Sequence, residues 1–244
     1  MNKHFFIDLD DTLVECSYLY SLATFKLGVY LYELLGNKIP YVEHLNLVKT
    51  RKKIDLKLFE QMGINRKRFP TSLVLTYRKI CENAKIKVSK KIEKDIWQIG
   101  EIPFDMNYYK KKGLIKGVIP TLEFLLNQQD SLHIVTFGDV EVQQDKIKVL
   151  ELKKYFGDNI TVESKKDKAL YNHLTQKLNK KNCFMIGNSL RGDITPSLEA
   201  GLNAIYIPSI GSVWSYEDGS EKPNLDFFEF KKFSDIKRNY DLLI

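Results

Sequence analysis

Two aspartates stand two residues apart directly after a short apolar run near the beginning of the chain. Residues 5–7 are Phe-Phe-Ile, and Asp8 and Asp10 follow. The apolar run predicts a strand buried on both faces of a parallel sheet. Side chains two residues apart in a strand point the same way, so Asp8 and Asp10 are predicted to approach one bound group from one side. Such a pair could serve as a nucleophile and a proton carrier, or as two ligands of a hard cation.

Further polar residues follow later apolar runs in the same manner. Thr136-Phe137-Gly138 follows a predicted strand at 132–136, and the segment 187–193 follows another at 183–186. In an open α/β sheet the carboxyl ends of the strands face the ligand crevice. We therefore expect these polar segments to meet at the edge of the sheet where Asp8 and Asp10 lie.

The second half of the chain alternates apolar strands with amphipathic helices. Strands are predicted at 132–136, 160–162, 183–186 and 204–207, and helices at 121–126, 142–155, 169–178 and 194–200. Alternation of this kind indicates right-handed βαβ units and a parallel sheet. The predicted fold class is α/β, with a doubly wound, Rossmann-like core. A loop containing Trp214 and Tyr216 and a C-terminal element around 227–230 complete the prediction.

The first strand is separated from the others by a long segment with helical periodicity. Helices are predicted at 18–35, at 41–62, after Pro70 and at 90–99, with a linker at 108–113. We therefore predict a core domain of residues 1–14 and 114–244, and an inserted helical cap domain of residues 15–113. Because the insert begins where the first strand ends, we expect it to lie over the edge of the sheet formed by the carboxyl ends of the strands.

The net charge of +7 is unevenly distributed along the 244 residues. Residues 14–115 hold 20 Lys and Arg against 10 Asp and Glu, while the remainder holds 18 against 21. A basic insert could attract a phosphorylated or nucleic-acid partner. The simpler interpretation is the solvated face of Lys-rich helices, which is what charge runs usually are.

Cysteine usage and hydropathy predict the compartment. The three cysteines are widely spaced and odd in number, which fits neither a disulfide framework nor a zinc site and favours a reducing environment. No apolar run approaches the ~18 residues of a membrane span. Aspartates interrupt the first apolar run, so no signal peptide is predicted. A cytoplasmic protein without membrane contacts is expected, as a monomer or a homodimer.

These motifs, in this order, resemble those of the haloacid dehalogenase-like (HAD) hydrolases. The segment Asp8-Leu9-Asp10-Asp11-Thr12 resembles the family signature D-x-D-x-T. The resemblance implies that Asp8 is a nucleophile that forms an aspartyl-phosphate. It implies that Asp10 is the acid and then the base, and that the backbone carbonyl of Asp10 binds a metal ion.

The resemblance extends to three later motifs. It implies that Thr136, with the N–H groups of Phe137 and Gly138, binds the phosphoryl group. A lysine should pair with the nucleophile and the phosphate; Lys166 is favoured over Lys165 by its spacing to the next strand. The segment 187–193 resembles G-D-x-x-x-x-D, which implies Mg²⁺ ligands at Asp193 and at residue 188. Here residue 188 is Asn188, an amide in place of the usual acid, so weaker metal binding is expected.

The function implied is a Mg²⁺-dependent phosphomonoester hydrolase acting on a small soluble phosphorylated metabolite. Asp10 distinguishes this activity from dehalogenation, which needs no proton on a leaving oxygen. A phosphotransferase, with a hydroxyl acceptor in place of water, stays open. The alternative from another class is a catalytically weakened HAD-like scaffold that binds nucleic acid or an acidic partner through its basic cap.

Overall fold

The computed structural model describes residues 2–209 and 222–243, so Trp214 and Tyr216 lie outside the described residues. The chain divides into two compact units: Met1–Tyr18 with Met106–Ile244, and Leu19–Asp105. The sequence placed the insert at residues 15–113, whereas this division begins it at Leu19 and ends it at Asp105.

The first unit is built on a six-stranded parallel sheet. Its strands are β1 (His4–Ile7), β2 (Ser131–Phe137), β3 (Ile160–Glu163), β4 (Cys183–Gly187), β5 (Asn203–Tyr206) and β6 (Phe228–Glu229). The strand order is β3-β2-β1-β4-β5-β6, which confirms the doubly wound α/β class. Strand β1 therefore lies between β2 and β4, with Ile7 paired to Ile134 and Ile186.

Burial explains why β1 is apolar throughout its last three residues. Phe5, Phe6 and Ile7 are at most 1% exposed, as expected for a strand covered on both faces. The strand ends at Ile7, so Asp8 and Asp10 belong to the turn that follows it rather than to the strand itself. Leu13 N–H and Val14 N–H both donate to the carbonyl of Leu9, which closes this turn.

Helices flank the sheet in the order that the alternation predicted. They are α5 (Met106–Lys112), α6 (Val118–Asn127), α7 (Val140–Val149), α8 (Lys153–Phe156), α9 (Lys168–Leu174), α10 (Thr195–Glu199) and α11 (Asp235–Arg238). A π-helical turn, Leu190–Ile194, precedes α10.

One helix prediction and one linker prediction for this unit were wrong. The helix predicted at 142–155 is divided into α7 and α8, because Glu151 takes a positive φ of 53° that no helix accommodates. The linker predicted at 108–113 is the helix α5, which buries Tyr109. The three lysines at 110–112 directly follow Tyr109, so the segment has the composition of an exposed linker.

The second unit is helical, as predicted. The first two residues of helix α1 (Ser17–Leu35) belong to the first unit, and the rest of α1 is the first helix of the second. The second unit continues with α2 (Tyr41–Met62), α3 (Arg68–Asn83) and α4 (Lys90–Gly100). Gly63 ends α2 with a φ of 61°. Helix α3 starts before Pro70 rather than after it, which the first turn tolerates because its N–H groups have no partner within the helix. Within the described ranges, no helix is apolar enough over sufficient length to cross a membrane.

Candidate active site

The carboxyl ends of the three central strands bring the predicted site residues together. The N–H of Asp8 donates to Ile186 O of β4 at 2.9 Å, which extends the pairing of β1 and β4 by one residue. Thr136 lies in β2 on the other side of β1. The turn after β1 is therefore bounded by the end of β2 and by the segment that follows β4.

Asp8 is the most enclosed carboxylate of this turn. It is only 5% exposed and forms an ion pair with Lys166. The hydroxyl of Thr12 lies 3.3 Å from Asp8 Oδ2, within hydrogen-bond distance. Burial raises the pKa of Asp8 to about 7; the Lys166 charge opposes this shift, and the charges of Asp193 and Asp10 add to it.

Lys166 connects Asp8 to a second buried carboxylate. Its Nζ lies 2.7 Å from Asp193 Oδ1, and the Lys166 and Asp193 side chains are 5% and 3% exposed. Burial by itself would lower the pKa of Lys166, but the neighbouring charges of Asp193 and Asp8 raise the pKa above its usual value. Lys165 instead pairs with Asp167 and is 77% exposed. Of the two candidate lysines, the structure brings Lys166 to Asp8, the predicted nucleophile.

Asp193 is positioned by the segment that follows β4. Its Oδ2 accepts a hydrogen bond from Ser189 N–H at 3.0 Å, and Ser189 Oγ accepts one from Gly192 N–H at 2.9 Å. A Cβ on Gly187 would lie 2.2 Å from Asp193 Oδ2. Glycine at position 187 is therefore what allows the carboxylate of Asp193 to lie against the end of β4.

Asn188 lies close to the same group of side chains. Its Oδ1 is 3.4 Å from Thr12 Oγ1, so the one Thr12 hydrogen can be donated either to Asn188 or to Asp8. Thr12 thereby links the turn after β1 to the segment after β4.

The predicted phosphoryl-binding residues lie at the end of β2. Thr136 is fully buried and accepts a hydrogen bond from Gln143 Nε2 at 2.9 Å. Phe137 is 42% exposed. The N–H of Gly138 donates to Glu163 O at 3.4 Å, a long hydrogen bond that a stronger acceptor such as a phosphate oxygen could replace.

Asp10 faces a different set of partners from Asp8. Its side chain is 26% exposed and forms an ion pair with Lys146 at 2.8 Å, and Gln143 Nε2 donates to Asp10 Oδ2 at 3.0 Å. Asp11, the third acid of the run, is not at the site. It accepts hydrogen bonds from the N–H groups of Cys16 and Ser17 and so stabilises the start of α1.

Three residues close to Asp8 and Asp10 were not among the predicted site residues: Thr12, Gln143 and Lys146. Thr12 is the last residue of the D-x-D-x-T segment, so its position was visible although its contacts were not. Gln143 and Lys146 stand three residues apart on α7, which puts them on one helix face. Two long polar residues on the buried face of an amphipathic helix were the signal that could have revealed them.

The residues that could hold a metal ion all offer oxygen. They are the carboxylates of Asp8 and Asp193, the amide oxygen of Asn188 and the backbone carbonyl of Asp10. Across residues 2–209 and 222–243, no group of three His, Cys, Asp or Glu side chains is arranged for a metal ion. A hard cation that keeps several water ligands fits two carboxylates and an amide, because Mg²⁺ needs only one or two protein carboxylates.

The charge balance also fits a cation. Lys166 brings one positive charge to two buried carboxylates, those of Asp8 and Asp193. The negative charge that remains contributes, with burial, to the raised pKa of Asp8. A cation near these oxygens would remove that excess.

Comparisons with known proteins identify the family of the chain. A family model described as a haloacid dehalogenase-like hydrolase matches residues 2–201. By sequence, no curated protein matches the chain.

Solved structures share the fold at low sequence identity. A haloacid dehalogenase-like family hydrolase from Xanthomonas campestris superposes with a TM-score of 0.74 at 20% identity, covering 99% of this chain and 91% of that one. For a 2-haloacid dehalogenase from Pseudomonas syringae pv. tomato the TM-score is 0.57 at 17% identity, with 100% of both chains covered. For a predicted phosphoglycolate phosphatase from Haemophilus somnus it is 0.55 at 20% identity, with 98% of both covered. At these identities the likeness concerns the fold, which dehalogenases and phosphatases share.

Proposed function

The chain belongs to the haloacid dehalogenase-like hydrolase family, and on that premise we propose that it is a Mg²⁺-dependent phosphomonoester hydrolase. Its substrate is a small soluble phosphorylated metabolite. The observation that carries the proposal is a second carboxylate, Asp10, two residues after the buried Asp8 and with an exposed fraction of 26%. Expulsion of a halide needs no proton, whereas an alkoxide leaving group needs one.

In the first half of the reaction, an Asp8 carboxylate oxygen attacks phosphorus. The bond between phosphorus and the ester oxygen breaks, and Asp10 gives its proton to that oxygen, so that the alcohol leaves. The product on the protein is an aspartyl-phosphate. Lys166 lies beside the attacked group and offsets the charge of the phosphoryl oxygens.

In the second half, Asp10 takes a proton from a water molecule, whose oxygen attacks phosphorus. The bond between phosphorus and Asp8 breaks, inorganic phosphate leaves, and Asp8 returns to its carboxylate form. Asp10 is then protonated for the next cycle. Thr136 and the N–H groups of Phe137 and Gly138 are the donors available to the phosphoryl oxygens.

Mg²⁺ would be held by Asp8, Asp193, Asn188 and the backbone carbonyl of Asp10. When bound, it neutralises charge that would otherwise keep an anionic phosphate away from an anionic nucleophile. The amide at Asn188 contributes no charge, so we expect weaker binding than a third carboxylate would give.

The test is release of inorganic phosphate from a panel of phosphate monoesters, with Mg²⁺ and with EDTA. The panel is run on the wild type, on Asp8→Asn and on the control Asp158→Asn, whose side chain is 99% exposed. Metal-dependent release that is lost only in Asp8→Asn supports the proposal. Release that persists in Asp8→Asn, or halide release from 2-haloacids without any phosphate release, would contradict it.

Two further arms separate the neighbouring activities. Added alcohols should not divert phosphate into new esters; if they did, the enzyme would be a phosphotransferase. Binding of nucleic acid that falls steeply with salt, in a folded protein without turnover, would favour the scaffold function through the basic insert.

A further inference from the structure

We propose that Lys146 and Gln143 are positioning residues that hold the Asp10 carboxyl where it protonates the leaving oxygen. The inference rests on the proposed phosphatase function and adds two residues of α7 to its machinery. Neither residue belongs to the four motifs on which the resemblance was built.

Lys146 contacts both oxygens of Asp10 from inside the protein. Its Nζ lies 2.8 Å from Asp10 Oδ1 and 2.9 Å from Oδ2. The Lys146 side chain is only 3% exposed, against 26% for Asp10. The lysine therefore binds the Asp10 carboxylate from the buried side, and the rest of the carboxylate stays accessible to solvent.

The surroundings of the ammonium group favour a carboxylate partner. Cys16 Sγ lies 3.4 Å from Lys146 Nζ, and the ring centroid of Tyr109 lies 5.2 Å away, within reach of a cation–π contact. Burial raises the pKa of Cys16 to about 12, so the thiol keeps its proton. Of these three neighbours, Asp10 is the one that supplies a negative charge.

Burial of a lysine contributes little to the free energy of folding. Removing an ammonium group from water has a desolvation cost that can exceed the attraction to its partner, and apolar replacements are often as stable. A buried cation directed at an acid of the site is more readily explained by what it does to that acid. It fixes the side-chain rotamer of Asp10.

Gln143 joins Asp10 to the end of β2. Its Nε2 lies 3.0 Å from Asp10 Oδ2, 2.9 Å from Thr136 Oγ1 and 3.1 Å from Phe137 O. A rotated amide would place its oxygen against the carboxylate of Asp10 and the carbonyl of Phe137, so these acceptors set its orientation. Gln143 is 1% exposed, and it ties the proton carrier to the predicted phosphoryl-binding segment.

The packing around Gln143 explains the glycine that follows Phe137. A Cβ on Gly138 would come within 2.6 Å of Gln143 Nε2 and 2.7 Å of its Cγ. Because glycine has no Cβ, position 138 leaves room for the Gln143 amide that reaches Asp10.

The chemical consequence concerns leaving groups that need a proton. An acid has to lie within hydrogen-bond distance of the leaving oxygen to contribute, and general acid catalysis supplies roughly 10²–10⁴-fold. An alkyl phosphate depends on that contribution because an alkoxide is a poor leaving group. p-Nitrophenyl phosphate depends on it much less, since nitrophenolate is stable without a proton.

The experiment compares kcat/KM for an alkyl phosphate and for p-nitrophenyl phosphate. This constant covers the steps up to departure of the leaving group and leaves out hydrolysis of the aspartyl-phosphate. In Lys146→Met the ratio of the alkyl to the nitrophenyl value should fall by about tenfold or more, within the range of general acid catalysis. The control Lys148→Met, an exposed lysine of the same helix, should leave the ratio unchanged.

Gln143→Leu provides a second variant that keeps the buried ion pair. Its ratio should fall in the same direction, while the exposed neighbour Gln144→Leu serves as its control. Equal losses on both substrates would indicate a merely structural role and would overturn the inference. An unchanged ratio in Lys146→Met and Gln143→Leu would overturn it too.

A second measurement needs no turnover. In protein labelled with ¹⁵N at lysine, a buried and hydrogen-bonded ammonium group should give a slowly exchanging signal, assigned by its loss in Lys146→Met. Asp10→Asn should shift or broaden the Lys146 signal. A signal that is the same in Asp10→Asn and in the wild type would overturn the pairing of Lys146 with Asp10. Absence of hydrolysis in the wild type would overturn the proposed function together with the catalytic part of this inference. Hydrolysis with an unaltered substrate ratio would overturn this inference alone.

Discussion

Lys166 and Asp8 form a buried ion pair although they are 158 positions apart in sequence. The same ammonium group binds Asp193, so one lysine connects the turn after β1 with the segment after β4. The three side chains are at most 8% exposed. Two carboxylates and one ammonium leave a buried excess of negative charge, which explains why the site would accept a cation.

Replacement of Lys166 should be far more harmful than replacement of its neighbour Lys165. Lys166→Met leaves Asp8 and Asp193 facing each other without a counter-charge, and breaking a buried ion pair typically costs 3–5 kcal/mol. We expect phosphatase activity to fall by at least about 10³-fold. Steady-state kinetics and urea unfolding of both variants measure these effects.

Lys165→Met is the matched control, because the Lys165 side chain is 77% exposed and pairs only with Asp167 among the salt bridges described. Its activity should stay within about twofold of the wild type, since exposed pairs contribute little. A larger loss in Lys165→Met than in Lys166→Met would refute the assignment.

Asn188→Asp should tighten Mg²⁺ binding. A carboxylate at this position adds a charge beside Asp8 and Asp193, and ligand charge strongly influences the affinity of oxygen sites for hard cations. We expect a dissociation constant lower by about tenfold, measured by titration calorimetry. Asn37→Asp, an exposed amide in the helical unit, controls for added charge, and weaker binding in Asn188→Asp would speak against Asn188 as a ligand.

Gly187→Ala should disable the site by displacing Asp193. The new Cβ would stand 2.2 Å from Asp193 Oδ2 and 2.3 Å from its Cγ, so the carboxylate has to leave its position. Activity should fall by about 100-fold, and the free energy of unfolding by roughly 1–3 kcal/mol, the usual cost of overpacking.

Gly28→Ala, in the middle of α1, has open space around the new methyl group. It should raise the free energy of unfolding by about 0.5–1 kcal/mol, because alanine favours the helix. Denaturant unfolding of both glycine variants tests this contrast, and a fully active Gly187→Ala enzyme would show that Asp193 can move without consequence.

His133 should make the protein less stable as the pH falls below about 6.5. Burial lowers the pKa of His133 from 6.5 to about 4, and the charge of His4 adds to this effect. Between these two values the unfolded chain binds the proton and the folded chain does not, so stability is lost as pH falls. The loss is of order 3 kcal/mol at most.

The measurement is the difference in unfolding free energy between the wild type and His133→Leu at pH 7.5 and pH 4.5. A difference is needed because the raised pKa of Asp8 makes the folded protein more stable as the pH falls over part of this range, which opposes the effect of His133. The exposed His173→Gln serves as control. A difference that does not change with pH would show that His133 is not kept neutral by the fold.

Periodicity and motif order predicted the parallel sheet and the helices that flank it. The strands could be recognised because a strand covered on both faces needs a continuous apolar run. Residues 5–7 and 183–186 met that condition and are buried strands. The order of strands, with β1 between β2 and β4, follows from the fold class but not from any local pattern.

Other features could not be predicted because they depend on contacts made far along the chain. The positive φ of Glu151, which divides the predicted helix at 142–155, has no local signal of the kind that glycine gives. The partners of Asp10 come from α7, and although their position on its apolar face was visible in the sequence, the acid that they contact was not. The choice between Lys165 and Lys166 depended on which of two adjacent side chains, in the irregular segment between β3 and α9, faces Asp8.

The most direct test of the proposed function is to trap the covalent intermediate. Protein mixed with an excess of a phosphate monoester and Mg²⁺ is quenched with borohydride, which reduces an acyl phosphate to an alcohol, and is then mapped by peptide mass spectrometry. We expect conversion of Asp8 to homoserine in the wild type, and only when both the ester and the metal ion are present. Turnover of the ester with an unmodified Asp8, or with the label on Asp10 or Asp193 instead, would contradict it.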